Sequence, residues 1–239
     1  MTYRRDSDIV NRFPLGGIVS TKKKNQRDSS FSLPPRPAPS SPPKPVPSAN
    51  LNQKKKLMAL IETGPCQPRS AAGPIVSALR KYISVDVYDN CKRKNCGDET
   101  QCNEMLRRDY KFVLVVEPTL CSDFVSKELY TGLLSGAVPV VYGHSDYDAY
   151  APVNSYINAA DFVSAKQLAD FLLVLNSNQV FYSKYLAWNR DYAVDRYPKQ
   201  GWCQLCEILN KDVANQFYGD INSWWFDSAY CSTTYPHSG

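Results

Sequence analysis

Histidine is nearly absent: His144 and His237 are the two in 239 residues. There is also a single Cys-x-x-Cys pair, Cys203 and Cys206. The paired ligand sets of a structural zinc site are therefore not present. No stretch reaches the ~18 apolar residues that a membrane span needs. Residues 1–20 lack the apolar core of about 7–15 residues that marks a secretory signal. No Asn-x-Ser/Thr acceptor occurs. Also missing are a P-loop, a Gly-x-Gly-x-x-Gly fingerprint, a His-Glu-x-x-His helix and a Gly-x-Ser-x-Gly elbow. These absences remove P-loop phosphate chemistry, zinc proteolysis and the serine-hydrolase elbow.

Positive charge is scarce where a folded domain would carry it. The formal net charge is +5, but residues 1–56 hold twelve Lys/Arg against three Asp/Glu. The remainder holds sixteen against twenty. A nucleic-acid-binding domain needs its basic residues on a folded face, so no nucleic-acid partner is expected. Nine of the seventeen prolines also fall in residues 1–56, densest over Pro34–Pro47. Such composition favours solvated, extended backbone. Residues 1–56 are therefore expected to be a disordered, basic, Pro-rich tail, with Lys22–Lys24 and Lys54–Lys56 solvated. A peptide-ligand role for Pro34-Pro35-Arg36-Pro37 is the less favoured reading of that tail.

Cysteine, by contrast, is plentiful. Cys66, Cys91, Cys96, Cys102, Cys121, Cys203, Cys206 and Cys231 are all disulfide candidates. Eight in a chain of this length favours an oxidising secretory compartment. The residues supply no visible way in, so the expectation is that the true start is missing or an anchor was lost.

Leu57–Glu62 reads as a short strand. Ile75, Val76, Leu79, Tyr82 and Ile83 recur at helical spacing. Val85–Tyr88 is a second strand, followed by a cysteine-rich loop. Phe112–Val116 is a continuous apolar run, the mark of a strand buried on both faces of a parallel sheet. Ser122 or Asp123 is expected to cap the next helix, whose inner face would be Phe124, Val125, Leu129, Leu133 and Leu134. Gly136 ends it. Val138–Tyr142 is another buried strand. Ser164 and Gln167 resemble a capping box before Leu168, Phe171, Leu172 and Leu175, and a further helix covers Val180–Trp188. Strands alternating with helices imply an α/β fold with a parallel sheet. Ligands of such sheets bind outside the carboxyl ends of the strands. Glu117–Lys127 and Tyr142–Tyr150 then form the rim.

The turn Glu117–Lys127 joins a buried strand to a helix amino terminus. Free N–H groups and the helix dipole favour an anion there, and a diphosphate fits, with Lys127 as a cation. Asp146 and Asp148 have the spacing of an Asp-x-Asp metal motif, but a polar loop is the preferred reading, and no metal ligands are assigned. Asp86 is read as structural. His144 is read as a solvated loop residue. Trp224-Trp225-Phe226 is equally a carbohydrate-stacking patch, core, or an exposed feature of the carboxy terminus.

Tyr110-Lys111-Phe112, Glu117, Cys121, Asp123, Leu129, Gly136–Gly143 and Tyr150-Ala151-Pro152 together resemble the α1,3/4-fucosyltransferase family. Leu79, Lys81–Ile83 and Val85–Tyr88 upstream, and Asp161-Phe162, Leu168–Leu172, Tyr185, Trp188 and Cys203–Cys206 downstream, extend the resemblance over about residues 57–209. It implies a Rossmann-like parallel sheet that forms one half of a GT-B-type glycosyltransferase. It implies inverting transfer of L-fucose from GDP-fucose to a GlcNAc-type hydroxyl of a glycan or glycoprotein acceptor, no required cofactor, and a place in the Golgi. The catalytic carboxylate base would come from an amino-terminal domain, which is expected to be missing here. Cys203 and Cys206 would belong to a disulfide-bonded terminus. Residues 57–209 become the donor-binding domain, and residues 210–239 a Cys/aromatic extension.

The implied donor-binding residues are Glu117, Thr119, Asp123, Phe124, Ser126, Lys127, Glu128, Tyr142 and Arg69. The chain departs from the family pattern at five positions. Pro118 replaces Asn, and Phe124 replaces Tyr. Lys127-Glu128 exchanges an acid and a base, which turns each charge by about 100° around the helix. The basic residue expected near Ala72 is absent, with Arg69 as its substitute. These changes motivate the alternative of a non-catalytic nucleotide- or glycan-binding protein.

Overall fold

A computed structural model describes residues 2–11, 16–21, 54–62, 72–89, 94–196, 200–211 and 217–232. Its centre is a parallel sheet of β2 (Lys56–Glu62), β3 (Val85–Asp89), β4 (Tyr110–Val116), β5 (Val138–Tyr142) and β6 (Ile157–Asn158), in the order β3-β2-β4-β5-β6. A two-stranded antiparallel ribbon pairs β1 (Gly17–Ser20) with β7 (Tyr192–Asp195). The expected α/β class and parallel sheet are observed.

The period of two along each strand divides the core between the sheet's faces. Met58, Leu60, Phe112, Leu114, Val138 and Val140 face α1 (Gly73–Leu79), α4 (Ala165–Ser177) and α5 (Gln179–Lys184). Ala59, Val113, Val115 and Val141 face α2 (Glu99–Asp109) and α3 (Lys127–Ser135). Both faces of β4 and β5 are covered, so both strands are continuous apolar runs. α4 carries Leu168, Leu172 and Leu175 inward as its spacing predicts, and Ser164 Oγ accepts from Gln167 N–H at 3.2 Å.

Several expectations are corrected. The cysteine-rich stretch is not all loop, because α2 begins within it. Asp98 and Gln101 form a reciprocal capping box, and Cys102 and Leu106 are its buried residues, four apart. This helix is polar over most of its surface, so apolar periodicity alone does not reveal it. The helix after β4 starts at Lys127, later than an Asp123 cap would allow, and Phe124 and Val125 precede it. The last predicted helix ends at Lys184, and a short 3-10 turn, Ala187–Arg190, follows.

The tail also needs revision wherever it is described. Residues 2–11 pack on the carboxyl edge of the sheet, and β1 pairs with β7. Lys54 is buried, with its Nζ donating to Gly136 O at 2.6 Å, a cation at the carboxy terminus of α3. Burial, and then the charge of Arg107, lower its ammonium to about 8. Low hydrophobicity suggested disorder, but the ordering groups are Arg, Asp and Tyr that find partners far along the chain. Pro34–Pro47 and Lys22–Lys24 lie outside the described residues.

The cysteines divide. Cys96 pairs with Cys102, and Cys121 with Cys231. Cys203 and Cys206 are exposed thiols on α6 (Gln200–Leu209), so their expected disulfides are not formed. Cys96, Cys102, Cys121 and Cys231 are already paired in the two bridges. Cys66 and Cys91 lie outside the described residues. Among the described residues, no helix is long and apolar enough to cross a membrane.

Candidate donor site at the carboxyl edge of the sheet

The strand order places a topological switch between β2 and β4: the chain moves from β2 out to β3, then returns across to β4. Crevices at such points take ligands. A cavity of about 290 Å³ lies there, lined by Glu62 and Asp89 at the strand ends, Asp98 and Glu99 at the start of α2, and Lys127 and Glu128 at the start of α3. Two helix amino termini converge on it. Among its described lining residues, five carboxylates face one ammonium group. Glu99 is paired with Arg196 at 2.7 Å. A larger cavity, about 480 Å³, lies between β1, β7 and the 148–153 loop, and none of the expected donor residues lines it.

The turn from β4 to α3 is built around Glu117. Its side chain is fully buried, and Oε2 accepts from the Ser126 N–H at 3.0 Å. A carboxyl from the strand end thus caps α3, the favourable sign at a helix amino terminus. Burial pushes the Glu117 carboxyl up to about 7. The Ser126 hydrogen bonds oppose the shift, and nearby Glu128 adds to it. Gly143 makes the close packing possible: a Cβ there would sit 2.2 Å from the Tyr147 hydroxyl and 2.7 Å from Glu117 Cγ. Gly143→Ala is expected to cost about 1–3 kcal/mol in urea unfolding through overpacking.

Asp123 and Phe124 turn away from that cavity toward the amino-terminal segment. Asp123 Oδ2 accepts from Arg5 N–H at 3.0 Å, and Oδ1 accepts from Arg5 Nε at 2.8 Å and from the Tyr150 hydroxyl at 3.0 Å. Burial raises the Asp123 carboxyl, but these bonds outweigh it and hold the group below the usual range. Tyr3 stands edge-on to Phe124, with ring centroids 5.4 Å apart, and also meets Trp225. Arg4 is buried among Asp6, the Ser228 carbonyl and the Trp224 carbonyl. Cys121–Cys231 ties the same turn to the carboxy-terminal segment, with Ser122 N–H donating to Ala229 O at 3.1 Å.

The expected site residues therefore separate. Lys127 and Glu128 reach the cavity. Glu117 and Ser126 build the turn beneath it. Thr119 sits beside Cys121, Oγ1 to Sγ 3.1 Å. Tyr142 is buried in the sheet core. Arg69 lies outside the described residues. The Asp-x-Asp pair separates too: Asp146 meets Arg5 at 3.4 Å, and Asp148 accepts from the Tyr156 hydroxyl. Among the described residues, no group of three or more His, Cys, Asp or Glu could hold a metal ion. Asp86 is structural, bound by Lys94 at 2.8 Å and by the Tyr110 hydroxyl. Of the tryptophans, Trp224 stacks against Arg4 and Tyr218. Sequence reasoning missed Tyr3, Arg4 and Arg5. Their signal was the alternation of Arg and Asp through Arg4, Arg5, Asp6 and Asp8, next to Tyr3 and Ile9.

Comparison with known proteins agrees with this architecture. The family profile described as glycosyltransferase family 10 (fucosyltransferase) C-term matches residues 51–224. α-(1,3)-Fucosyltransferase C of Drosophila melanogaster is 32% identical over 95% of this chain and 53% of its own length. Glycoprotein 3-α-L-fucosyltransferase A of the same organism is 30% identical over 97% of the chain and 44% of its own length. The chain thus spans about half the length of these relatives, and both matches reach into residues 1–56. A solved α1,3-fucosyltransferase with GDP-fucose shares the fold at TM-score 0.55, with 19% identity over 70% of this chain and 51% of that one. By its matching profile and the sheet that carries it, this chain belongs to glycosyltransferase family 10, the fucosyltransferases.

Proposed function

We propose that this chain binds GDP-fucose at the carboxyl edge of its sheet and serves as the donor half of an inverting α1,3-fucosyltransferase. The observation that carries the reading is the β4–α3 turn at the topological switch point, inside the stretch that matches the family. In the reaction, the bond from the sugar C1 to the diphosphate oxygen breaks, and a bond from C1 to the acceptor oxygen forms. A carboxylate base takes the acceptor proton, and GDP leaves with its electron pair. That base is assigned to a domain other than the described fold.

The part proposed for these residues is binding and leaving-group stabilisation. Lys127 and the amino end of α3 supply positive charge where negative charge develops on the departing diphosphate. Glu117, through Ser126, fixes the direction of that helix. Residues 57–209 form the proposed donor domain, with 210–239 as its extension. The acceptor is a glycan or glycoprotein. The disulfides support an oxidising compartment, and the Golgi lumen or membrane is the proposed location.

Calorimetric titration with GDP tests the reading. Saturable binding is expected, and Lys127→Ala should weaken it about tenfold or more, as the loss of one charge-assisted contact of ~1.5–3 kcal/mol requires. Failure of the folded wild type to bind GDP would refute the site. Transfer is then assayed with GDP-fucose and an N-acetyllactosamine acceptor. Binding without transfer would favour a binding-only role.

A further inference from the structure

We propose that Asn103 is the residue that reads the guanine base in the donor site. The inference rests on the GDP-binding reading above and names a specificity contact within it. Asn103 lies on α2 and lines the switch-point cavity. Its Oδ1 is buried and has no hydrogen-bond partner among the described residues. No other described residue of that lining holds a buried side-chain oxygen or nitrogen left in this state. Its polar neighbours are engaged elsewhere. Asp98 Oδ1 accepts from the Gln101 N–H at 2.9 Å, Asn95 Oδ1 accepts from the Gly97 N–H at 2.7 Å, and Glu99 pairs with Arg196 at 2.7 Å. A buried acceptor left unsatisfied is costly, and asparagine is also a poor former of helix interiors. Asn103 therefore breaks two local rules beside a cavity, the pattern of a group kept for a ligand.

The wall around Asn103 fits a flat, largely apolar guest. Ile61, Tyr88, Leu106 and Val113 line the cavity and belong to one packed cluster. Cys96 and Cys102, joined in their bridge, line it too. At about 290 Å³ the space is at the lower end for a small-molecule pocket, so it takes only part of a nucleotide sugar. The base is the apolar part, and the diphosphate is left to Lys127 and α3. Guanine presents N1–H and its 2-amino group beside the O6 acceptor. Rotation about the soft χ2 of Asn103 turns Oδ1 toward the cavity. There it accepts from N1–H while Nδ2 donates to O6. Adenine offers an acceptor at N1 in that place, which leaves Oδ1 unpaired again, and a site with an unpaired polar group rejects such an analogue. The amide is held ready on α2, because the capping box and the bridge at the preceding residue, Cys102, fix that helix before a ligand arrives.

Calorimetric titration of the full chain with GDP and with ADP tests the inference. Wild type is expected to prefer GDP. Asn103→Leu removes the amide at similar size and should weaken GDP about tenfold or more while leaving ADP unchanged, so that the preference is lost. The Tm of the ligand-free protein should hold or rise, since the substitution deletes an unsatisfied oxygen and improves helix propensity. Asn103→Ala supplies the same comparison should Asn103→Leu fail to fold. Undiminished GDP affinity in the variant, or a wild type that binds GDP and ADP alike, would overturn the role of Asn103. An equal loss for both nucleotides together with a lower Tm would make it a structural residue and overturn that role too. A folded wild type that binds neither nucleotide sinks the donor-site reading itself, whereas one that binds GDP keeps that reading whatever the variants do.

Discussion

Replacing Cys121 and Cys231 together by serine is expected to lower stability by about 4–5 kcal/mol, the loop-closure contribution of a cross-link of this span. The bridge joins residues 110 apart. For a chain of this size that loss corresponds to a fall of about 10–15 °C in Tm, measured by calorimetry or circular dichroism. The same calculation for Cys96–Cys102, only six residues apart, gives about 2 kcal/mol. The long bridge should therefore dominate. Its loss also frees the carboxy-terminal segment, which carries the Trp224 and Ser228 carbonyls that hold Arg4. The double variant is expected to loosen residues 2–11. Equal Tm shifts for the two pairs of cysteines would contradict this account.

Glu117→Gln is expected to change how stability depends on pH. The Glu117 carboxyl lies at about 7 in the fold, against an ordinary 4.5, chiefly because burial penalises its charged form. Between those values the folded state binds more protons than the unfolded chain, so stability falls as pH rises. The contribution is fully present below about 4.5 and lost once pH has passed about 7. The shift corresponds to on the order of 3 kcal/mol over that window. Gln keeps an oxygen for the Ser126 N–H and cannot ionise. Urea denaturation from pH 5 to 8 should therefore show a declining limb in wild type that is absent from the variant, with the variant more stable at pH 8. Asp86 and Asp123, both held below the usual carboxylate range, act in the opposite direction at lower pH. The wild-type minus variant difference isolates Glu117. Above pH 7 the ionised carboxyl also places a negative charge beneath the proposed diphosphate. GDP affinity should weaken over the same window in wild type only. A wild-type limb that survives in Glu117→Gln would assign the effect to another group.

Strands β2–β5 and the inner face of α4 were legible because burial against the layers of the sheet, or on one helical face, leaves a repeating apolar pattern. Phe112–Val116, Val138–Tyr142 and Leu168–Leu175 need no information beyond their own spacing. The stop at Gly136 is local as well, since its φ of 68° favours glycine. The resemblance to the fucosyltransferases rests on the same block of residues. α2 was not legible, because its stability comes from a capping box and two buried residues rather than from a stripe.

What the sequence by itself determined is therefore the parallel sheet, the position of the turn Glu117–Lys127 at its edge, and the family to which the chain belongs. The tertiary structure alone decided which groups on that turn are buried and which line the cavity. Glu117 and Tyr142 are drawn inward by burial, while Lys127 and Glu128 reach the cavity. It also decided that residues 2–11 pack against the turn after β4, and which cysteines pair. The physical reason is one of range. Apolar periodicity is written in neighbours three or four residues apart, whereas Arg5 with Asp123, Arg4 with Trp224, and Cys121 with Cys231 are contacts between groups more than a hundred residues apart. Their partners exist only once the sheet has brought both ends of the chain to its carboxyl edge.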